Sequence, residues 1–425
     1  MKKPESRISV VLFFLLFCLL LPAEAIVAAP STAERKVIIG FNKKPGSAER
    51  NLLRGHKGRM RHAFRIIHAF AANLPEKEIS RLRADPRIKY VVEDAVVSAV
   101  EPEPSEAEYG SSWGVQHIGC DRVHDQGITG QGVKIAVIDT GIDYTHPQLS
   151  ANYRGGYDFV FTDNDPYDDS WNSHGTHVAG IIAATADGTG VVGGAPDASL
   201  YAVKVLDGAG SGYLSWVVAG IEWAVDNGMD IANISIAGPN SPVLQDACAA
   251  AYNAGLLLVA AGGNTRAGDV LYPAAYDSVI AVSASYQSDL PAWFSPMDAE
   301  VELMAPGVEI LSTTADGEYA LLSGTSQAAP HVTAVAALLM SAGQFDANQD
   351  GLVNNRDIRL RLQRTAVDLG DEGRDEVYGF GLVDAAAAIA DDGDVDGLDL
   401  LSFARKLEDG TNSIDVANFA ASFGR

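Results

Sequence analysis

Short apolar runs alternate with helical stretches over most of residues 113–390. Five runs have the length and β-branched content of buried strands, and they lie at 133–138, 200–205, 231–236, 256–261 and 279–282. Helices are predicted between or after them, at 175–186, 213–227, 244–254 and 326–342. Apolar runs without polar alternation indicate strands buried on both faces, and strands that alternate with helices indicate a parallel sheet. The pattern therefore predicts an α/β domain in three layers, with a mainly parallel sheet between helices.

A smaller unit precedes this domain. Residues 37–41 and 89–94 have the pattern of strands, and 76–83 that of a short helix, so a small α+β domain is expected over 30–100. Residues 101–112 are rich in Glu, Pro, Ser and Gly and predict an exposed linker.

The first 25 residues have the organisation of a secretory signal. Lys2 and Lys3 precede an apolar run at 10–21, which is followed by a small-residue cleavage pattern at 23–25. Because the run is short for a bilayer span, a signal is favoured over a membrane anchor. We therefore expect a secreted, extracellular protein without stable membrane insertion.

Charge is distributed unevenly along the chain. Residues 1–100 carry 18 Lys and Arg against 9 Asp and Glu, whereas the rest carries 13 against 46. The amino-terminal part would be attracted to the acidic body at low salt, although a requirement for solubility alone also accounts for the imbalance. So acidic a body argues against nucleic-acid binding. Beyond the signal the chain has two cysteines, Cys120 and Cys248, and the sequence does not decide whether they pair.

Three segments place a carboxylate, an imidazole and a hydroxyl at the ends of predicted elements. Asp139 follows the first strand, His174 begins a helix, and Ser326 opens the helix at 326–342. A carboxylate that orients an imidazole, which in turn deprotonates a hydroxyl, is the arrangement for acyl transfer through a covalent intermediate. The helix N-terminus beside Ser326 also offers unpaired N–H groups for an oxyanion. There is no G-x-S-x-G elbow, which argues against an α/β-hydrolase esterase.

These segments resemble the signatures of the subtilisin-like serine proteases. The matching runs are IAVIDTG around Asp139, NSHGTHVAG around His174 and SGTSQAAP around Ser326, in the order Asp, His, Ser. Residues 30–100, which include DPRIKYVVED, resemble the inhibitory propeptide of the same family.

The resemblance implies a subtilisin-like catalytic domain at 113–390. It also implies a secreted, self-processing serine endopeptidase that acts on polypeptide substrates, is inhibited by its own propeptide and needs no organic cofactor. Two alternatives remain: a non-catalytic relative that uses its acidic body for attachment, and an ordinary α+β domain in place of the propeptide.

The resemblance also assigns further roles near the nucleophile. Asn264, in the run AAGGN, would supply a side-chain amide to the oxyanion, with a plain turn as the alternative. Gln327 stands where the family usually has Met, which removes an oxidisable thioether. His177, one turn after His174, is expected to be structural.

Substrate is expected to lie as an extended strand between two edges. These edges comprise Gly210, Ser211 and Gly212 on one side and Ser235, Ile236, Ala237 and Gly238 on the other. Leu271 is expected near the floor of the pocket for the P1 side chain. Together with Ala237 it would favour small or medium apolar P1 residues.

Two acidic segments suggest structural calcium. The first precedes His174 and offers Asp158, Asp163, Asp165 and Asp168, with a solvated acidic loop as the alternative. The second, at 346–357, follows EF-hand spacing with Asp346, Asn348, Asp350, Leu352, Asn354 and Asp357. The strongest calcium site of many subtilisins is expected to be weakened, because Gln148 stands at the position of its usual Asp, although Asp187 matches a loop ligand.

Residues 391–425 resemble half of a dockerin-like module. Three interpretations of this tail stay open: it binds calcium, it binds a surface partner, or it caps the domain.

Overall fold

The computed structural model describes residues 34–99, 112–343, 345, 347 and 353–390. The predicted signal, residues 101–111 of the predicted linker and the dockerin-like tail lie outside these residues. So do four of the six predicted ligands of the EF-hand-like loop, Asp346, Asn348, Asp350 and Leu352.

The amino-terminal unit is an antiparallel sheet with two helices. Its elements are β1 Glu34–Phe41, α1 Ser47–Gly55, β2 Arg59–Ala63, β3 Ala69–Pro75, α2 Glu76–Arg83 and β4 Ile88–Glu93. The strands lie in the order β2-β3-β1-β4. Phe41, Leu53, Phe70 and Leu82 pack in its core. The predicted small α+β fold is confirmed.

A seven-stranded parallel sheet forms the centre of the larger unit. Its strands are β6 Lys134–Asp139, β7 Tyr153–Asp158, β8 Ser199–Lys204, β10 Ile231–Ile234, β12 Leu257–Ala261, β13 Ile280–Ser285 and β14 Leu303–Pro306. They lie in the order β14-β13-β12-β10-β6-β8-β7, and each neighbouring pair is parallel. The predicted doubly covered α/β sheet is confirmed.

Helices cover both faces of this sheet. They are α3 Trp113–His117, α4 Cys120–His124, α5 His174–Ala183, α6 Leu214–Asp226, α7 Pro242–Asn253, α8 Thr325–Ala342, α9 Asn355–Thr365 and α10 Ala385–Ile389. On β6, Ile135 and Val137 pack in the cluster that contains α5 and α8, whereas Ala136 and Ile138 pack in the cluster that contains α6 and α7. Because side chains alternate along a strand, this division explains why β6 is apolar at each of the four positions 135–138.

Two edge strands, β7 and β14, escaped the sequence prediction. The sequence of β7 is YRGGYD, which has no apolar run, and β14 is four residues that end in Pro306. A Cβ at Gly156 would lie 1.9 Å from the carbonyl oxygen of Ala202 on β8, so glycine is needed for this close approach. An antiparallel hairpin, β15 Ile310–Thr314 and β16 Glu318–Leu322, was also not predicted.

A three-stranded sheet joins the two units. Strand β5, Val96–Ala99, ends the described part of the amino-terminal unit. It lies antiparallel between β9, Ser211–Tyr213, and β11, Ile236–Ala237.

In the ranges given above, no helix combines the length and the apolar character needed to cross a bilayer.

Candidate active site

Asp139 and His174 form a buried pair at the carboxyl end of the sheet. Asp139 is the last residue of the central strand β6, and His174 is the first residue of α5. Oδ1 of Asp139 lies 2.7 Å from Nδ1 of His174 and also accepts the N–H of Thr140 at 2.7 Å. Neither side chain is exposed. A carboxylate on Nδ1 fixes the imidazole so that Nε2 serves as the base, and it stabilises the imidazolium.

Close backbone packing brings β6 and α5 together. A Cβ at Gly175 would lie 2.2 Å from the carbonyl oxygen of Gly141 and 3.1 Å from Cβ of Asp139. Gly141 itself has φ of +113°, where a larger side chain would be strained. The glycines that flank the pair are therefore required by its geometry.

A buried carboxylate holds the first turn of α5. Oδ1 of Asp168 accepts from the backbone N–H of Ser170 at 3.1 Å and from its hydroxyl at 2.6 Å. Oδ2 accepts from the N–H of Thr176 at 3.0 Å and from its hydroxyl at 2.7 Å. The Ser170 oxygen in turn accepts the N–H of His174 at 3.3 Å. Asp168 therefore satisfies N–H groups that a helix start leaves open, and positions His174 through Ser170.

Ser326 is the second residue of α8 and is fully buried. Pro330 lies four residues later and has no N–H to donate to the Ser326 carbonyl. The Ser235 hydroxyl donates to that carbonyl instead, at 3.2 Å. Ser235 also accepts from Nδ2 of Asn233 at 3.0 Å, and Oδ1 of Asn233 accepts from Thr333 at 2.9 Å. This buried chain ties the nucleophile's helix to the sheet.

Thr325 orients the Asn264 amide. Oδ1 of Asn264 accepts from the backbone N–H of Thr325 at 3.1 Å and from its hydroxyl at 3.2 Å. Since an amide oxygen can only accept, the Nδ2 end faces the other way. An ideal Cβ on Gly324 would lie 3.3 Å from this Nδ2 and 3.7 Å from the backbone nitrogen of Ser326. Both nitrogens therefore lie near Gly324, and two N–H donors this close together are what an oxyanion needs.

The two predicted substrate edges lie on either side of β5. Gly210 leads into β9, which contains Ser211 and Gly212, and the opposite edge is β11 with Gly238 after it. Ser235 precedes that edge, but its side chain is buried under Ser326 rather than open to the cleft. The pairs Ser98–Ser211 and Ala237–Ser98 put one strand in contact with both edges. An extended peptide can therefore bind there by strand addition.

Leu271 lies next to the loop that carries Asn264 and is partly exposed. Its N–H donates to the carbonyl of Gly262 at 2.8 Å, and a Cβ on Gly263 would lie 2.7 Å from Cδ1 of Leu271. This places Leu271 beside the loop that carries Asn264, which is compatible with its predicted position at the P1 pocket.

Comparison with known proteins agrees with this geometry. The model of the subtilase family matches residues 130–381, and that of the peptidase inhibitor I9 matches residues 32–99. Subtilisin NAT of Bacillus subtilis subsp. natto is 41% identical over 372 residues, which are 85% of this chain and 92% of that protein. The M-protease of Shouchella clausii (strain KSM-K16) is 39% identical over 402 residues, 91% of this chain and 100% of that protein. The chain belongs to the subtilase family.

Fervidolysin from Fervidobacterium pennivorans, described as a keratinolytic enzyme related to subtilisin, has a similar solved structure. The TM-score is 0.71 at 30% identity, and the match covers 84% of this chain. This chain covers 61% of the length of fervidolysin. The subtilase described here is a serine endopeptidase for polypeptide substrates, with an I9 propeptide as its intramolecular inhibitor.

The propeptide of this subtilase docks on helix α6. Asp94 accepts from the N–H of Ser215 at 2.7 Å and from its hydroxyl at 2.6 Å, and so caps the start of that helix. Further along α6, Oε1 of Glu222 accepts the backbone N–H groups of Arg65 and Ile66. Both carboxylates are buried in the docked arrangement, where a carboxylate without hydrogen-bond donors would be costly, so these N–H and hydroxyl contacts are needed for the two units to pack.

Ion pairs across the same interface join basic side chains of the propeptide to acidic side chains of the larger unit. Arg65 contacts Asp226, and Lys89 lies 2.6 Å from Asp246. The sign of these pairs follows the charge imbalance seen in the sequence.

The first acidic segment does not assemble as a metal site. Asp158 binds the N–H groups of Val160 and Phe161, and Asp165 accepts from the Tyr144 hydroxyl at 2.5 Å. Asp163 accepts the N–H of Asp165. Asp168 already accepts four hydrogen bonds from Ser170 and Thr176, two at each carboxylate oxygen. Within the described ranges, no group of three or more His, Cys, Asp or Glu side chains is placed to hold a metal ion.

Of the EF-hand-like ligands, Asn354 and Asp357 fall within the described residues. Asn354 is the N-cap residue of α9 and accepts the N–H of Arg356 at 2.8 Å, while Oδ2 of Asp357 accepts the N–H of Asn354 at 2.9 Å. This is a capping box, and Asp357 is fully buried.

His177, Cys120 and Cys248 are buried groups that are not part of the Asp139–His174 contact. Nε2 of His177 lies 3.1 Å from the carbonyl oxygens of Ile310 and Ala320, and burial lowers its pKa to about 3. The two cysteines are free thiols in the structure, and burial raises the pKa of each.

Three buried groups near the site were not identified from the sequence: Asn233, Thr333 and Lys204. Nζ of Lys204 donates to the carbonyl of Thr140 at 2.5 Å, to Oδ1 of Asp169 at 2.7 Å and to the carbonyl of Leu206 at 2.9 Å. The sequence did contain a signal for Asn233, which is the one polar residue in the apolar strand IANI. A buried amide needs hydrogen-bond partners, so its presence there indicates a buried polar contact.

Proposed function

We propose that this subtilase is a secreted zymogen that cleaves its own chain after the propeptide and then hydrolyses other polypeptides through an acyl-enzyme on Ser326. The buried contact between Asp139 and His174 carries the proposal, because a carboxylate on Nδ1 leaves Nε2 of the imidazole as the base for a serine hydroxyl. The signal-like residues 1–25 support secretion.

The reaction begins when Oγ of Ser326 attacks the scissile carbonyl and His174 takes its proton. Asp139 holds the imidazole and stabilises its charged form. The oxyanion of the tetrahedral intermediate is held by Nδ2 of Asn264 and the N–H of Ser326. Collapse breaks the C–N bond, and His174 returns the proton to the leaving amine. Water, deprotonated by the same imidazole, then releases the acid and regenerates the serine.

Maturation uses the same cleft. Strand β5 pairs with both β9 and β11, which is the position of a substrate before cleavage. The cut bond is proposed to lie beyond Val100, so that 30–100 is the propeptide, 101–112 the linker and 113–390 the catalytic domain. The cut propeptide keeps its contacts to α6 and remains an inhibitor.

The P1 pocket is proposed to prefer small or medium apolar residues, because Ala237 and Leu271 add bulk on its two sides. Faster cleavage after Phe than after Leu or Ala would contradict this.

Structural calcium is proposed for the loop 346–357 alone. The spacing of its oxygen ligands and the buried carboxylate of Asp357 support this assignment. A bound ion would be held by Asp357 together with the side-chain oxygens of the loop and the backbone carbonyl of Leu352.

A covalent probe and a burst experiment test the mechanism. A fluorophosphonate should add one label per enzyme, and peptide mapping should place it on Ser326. A p-nitrophenyl ester should release a burst of nitrophenol equal to the enzyme concentration, and Ser326→Ala should abolish both signals. Labelling at another residue, or a burst in Ser326→Ala, would contradict the proposal.

A further inference from the structure

Three oxygen atoms of the loop 185–191 surround the side-chain nitrogen of Gln148. Nε2 lies 2.5 Å from the carbonyl oxygen of Thr189, 2.7 Å from that of Val191 and 3.5 Å from Oδ1 of Asp187. The loop follows α5, and Gln148 lies in the turn before β7, fully buried.

Chemistry fixes the orientation of this amide. Oε1 accepts the N–H of Val191 at 3.0 Å, and the two N–H bonds of Nε2 meet two carbonyl oxygens. The reversed orientation would put Oε1 against those carbonyls with no hydrogen between them. Every hydrogen-bonding position of the amide that faces the loop is therefore used.

We infer that the Gln148 amide takes the place of a cation in this loop, which holds its shape without calcium and does not bind it. Calcium needs six to eight oxygen ligands at about 2.3–2.6 Å, and the point that is close to several loop oxygens is filled by Nε2. A neutral donor with two hydrogens satisfies the two carbonyls that an ion would otherwise bind. The family's calcium site is thus replaced, and not merely weakened.

Two further contacts show that the loop is built around the amide. A Cβ on Gly190 would lie 2.6 Å from Oε1 of Gln148 and 2.3 Å from the Tyr319 hydroxyl, so the loop backbone packs directly against the amide and residue 190 has no room for a side chain. The loop also contains the carboxylate of Asp187, whose Oδ1 accepts the N–H of Thr189 at 2.9 Å and its hydroxyl at 2.7 Å. These donors keep the pKa of Asp187 below its usual value and stabilise the carboxylate without an ion.

The backbone of Gln148 also contacts the residues that follow α5, the helix of His174. The backbone carbonyl of Gln148 accepts the N–H of Thr185, which lies just after the end of α5 at Ala183. Residue 148 thereby fixes both ends of the segment that leads away from the helix of His174.

Hydrogen exchange of the full chain carrying Ser326→Ala tests the inference, because this background excludes autolysis. Amide exchange in 185–191 is measured with calcium, with magnesium and with a chelator. The parent should show the same exchange in all three. Calcium-dependent protection of this loop in the parent would overturn the inference.

Gln148→Asp provides the positive test. Its side chain is shorter by one methylene and leaves the place of Nε2 free for an ion. In chelator the loop should exchange about tenfold faster than in the parent, since two hydrogen bonds are lost. Calcium should restore protection, and calorimetry should find one more bound calcium than in the parent. Unchanged protection in chelator, or a loss that calcium does not restore, would overturn the assignment.

Gln148→Glu is the matched control. It keeps the length of the side chain but puts an oxygen where Nε2 lies, so that neither the donor nor space for the ion is present. We expect a loss of protection with and without calcium. Restoration by calcium in this variant would also overturn the inference, and should Gln148→Asp fail to fold, the measurement on the parent still decides.

Discussion

Replacing Thr325 by Val should slow catalysis without greatly changing substrate binding. The hydroxyl of Thr325 donates to Oδ1 of Asn264 at 3.2 Å and accepts the N–H of Gly263 at 3.0 Å. Val has nearly the same shape and removes both contacts. The backbone N–H of Thr325 still holds Asn264 at 3.1 Å, so the amide remains near its place with less restraint.

The size of the effect follows from these contacts. Loss of one of the two hydrogen bonds on Oδ1 should cost transition-state stabilisation of about 1–1.5 kcal/mol, or roughly tenfold in kcat. This is less than the loss from removing such an amide altogether, about 2.7–4 kcal/mol, a value that was obtained in the relative subtilisin and not from this chain. The buried N–H of Gly263 also loses its acceptor, which should lower the free energy of unfolding by about 1–3 kcal/mol.

The assay is steady-state hydrolysis of a peptide p-nitroanilide by matured enzyme, with kcat and KM determined separately. Thr325→Ser keeps the hydroxyl and should retain most of kcat. In an Asn264→Ala background, Thr325→Val should have little further effect on kcat, because its partner is already gone. Equal losses in the Ser and Val variants, or full additivity with Asn264→Ala, would refute the reasoning.

Three further predictions concern oxidation, inhibition and pH. Hydrogen peroxide should leave the activity of the parent largely intact but inactivate Gln327→Met, because Gln327 has no thioether to oxidise; rapid loss in the parent would contradict this. Glu222→Gln should weaken propeptide binding roughly tenfold, because the buried carboxylate of Glu222 accepts two propeptide N–H groups, one of them from Arg65. Activity of this variant should therefore appear after a shorter lag, and an unchanged lag would count against the prediction. Burial lowers the pKa of His177 to about 3 and that of His331 to about 4, whereas histidines in an unfolded chain titrate near 6.5. Because the unfolded chain therefore binds more protons, the free energy of unfolding should fall as the pH drops from about 6.5 towards 4. A urea midpoint of an inactive variant that stays constant over that range would contradict this.

The central strands were predictable because their signal is strong. β6 is apolar on both faces and ends in Asp139, so its burial and the place of its carboxylate at the carboxyl end of the sheet follow from the pattern. β7 lacks that signal, since an edge strand with Gly156 at a close backbone approach carries few apolar side chains.

The catalytic residues could be predicted from the sequence, but the contacts that position them could not. The segments around Asp139, His174 and Ser326 are local patterns, whereas the contacts that hold them join distant parts of the chain. Asp168 looked like a calcium ligand because a count of carboxylates does not show which ones already have donors. Gln148 was expected to weaken a calcium site, but its reach to Val191 depends on two loops that the sequence does not place together.

Intact mass of the secreted protein, compared with Ser326→Ala, tests the central claim most directly. The account predicts that the wild type loses its amino-terminal segment by cleavage beyond Val100, while Ser326→Ala keeps its propeptide. The new N-terminus of the wild type then identifies one P1 residue. If both proteins keep the propeptide in calcium-containing medium, or both lose it at the same bond when expressed alone, Ser326 does not process its own chain and the account is contradicted.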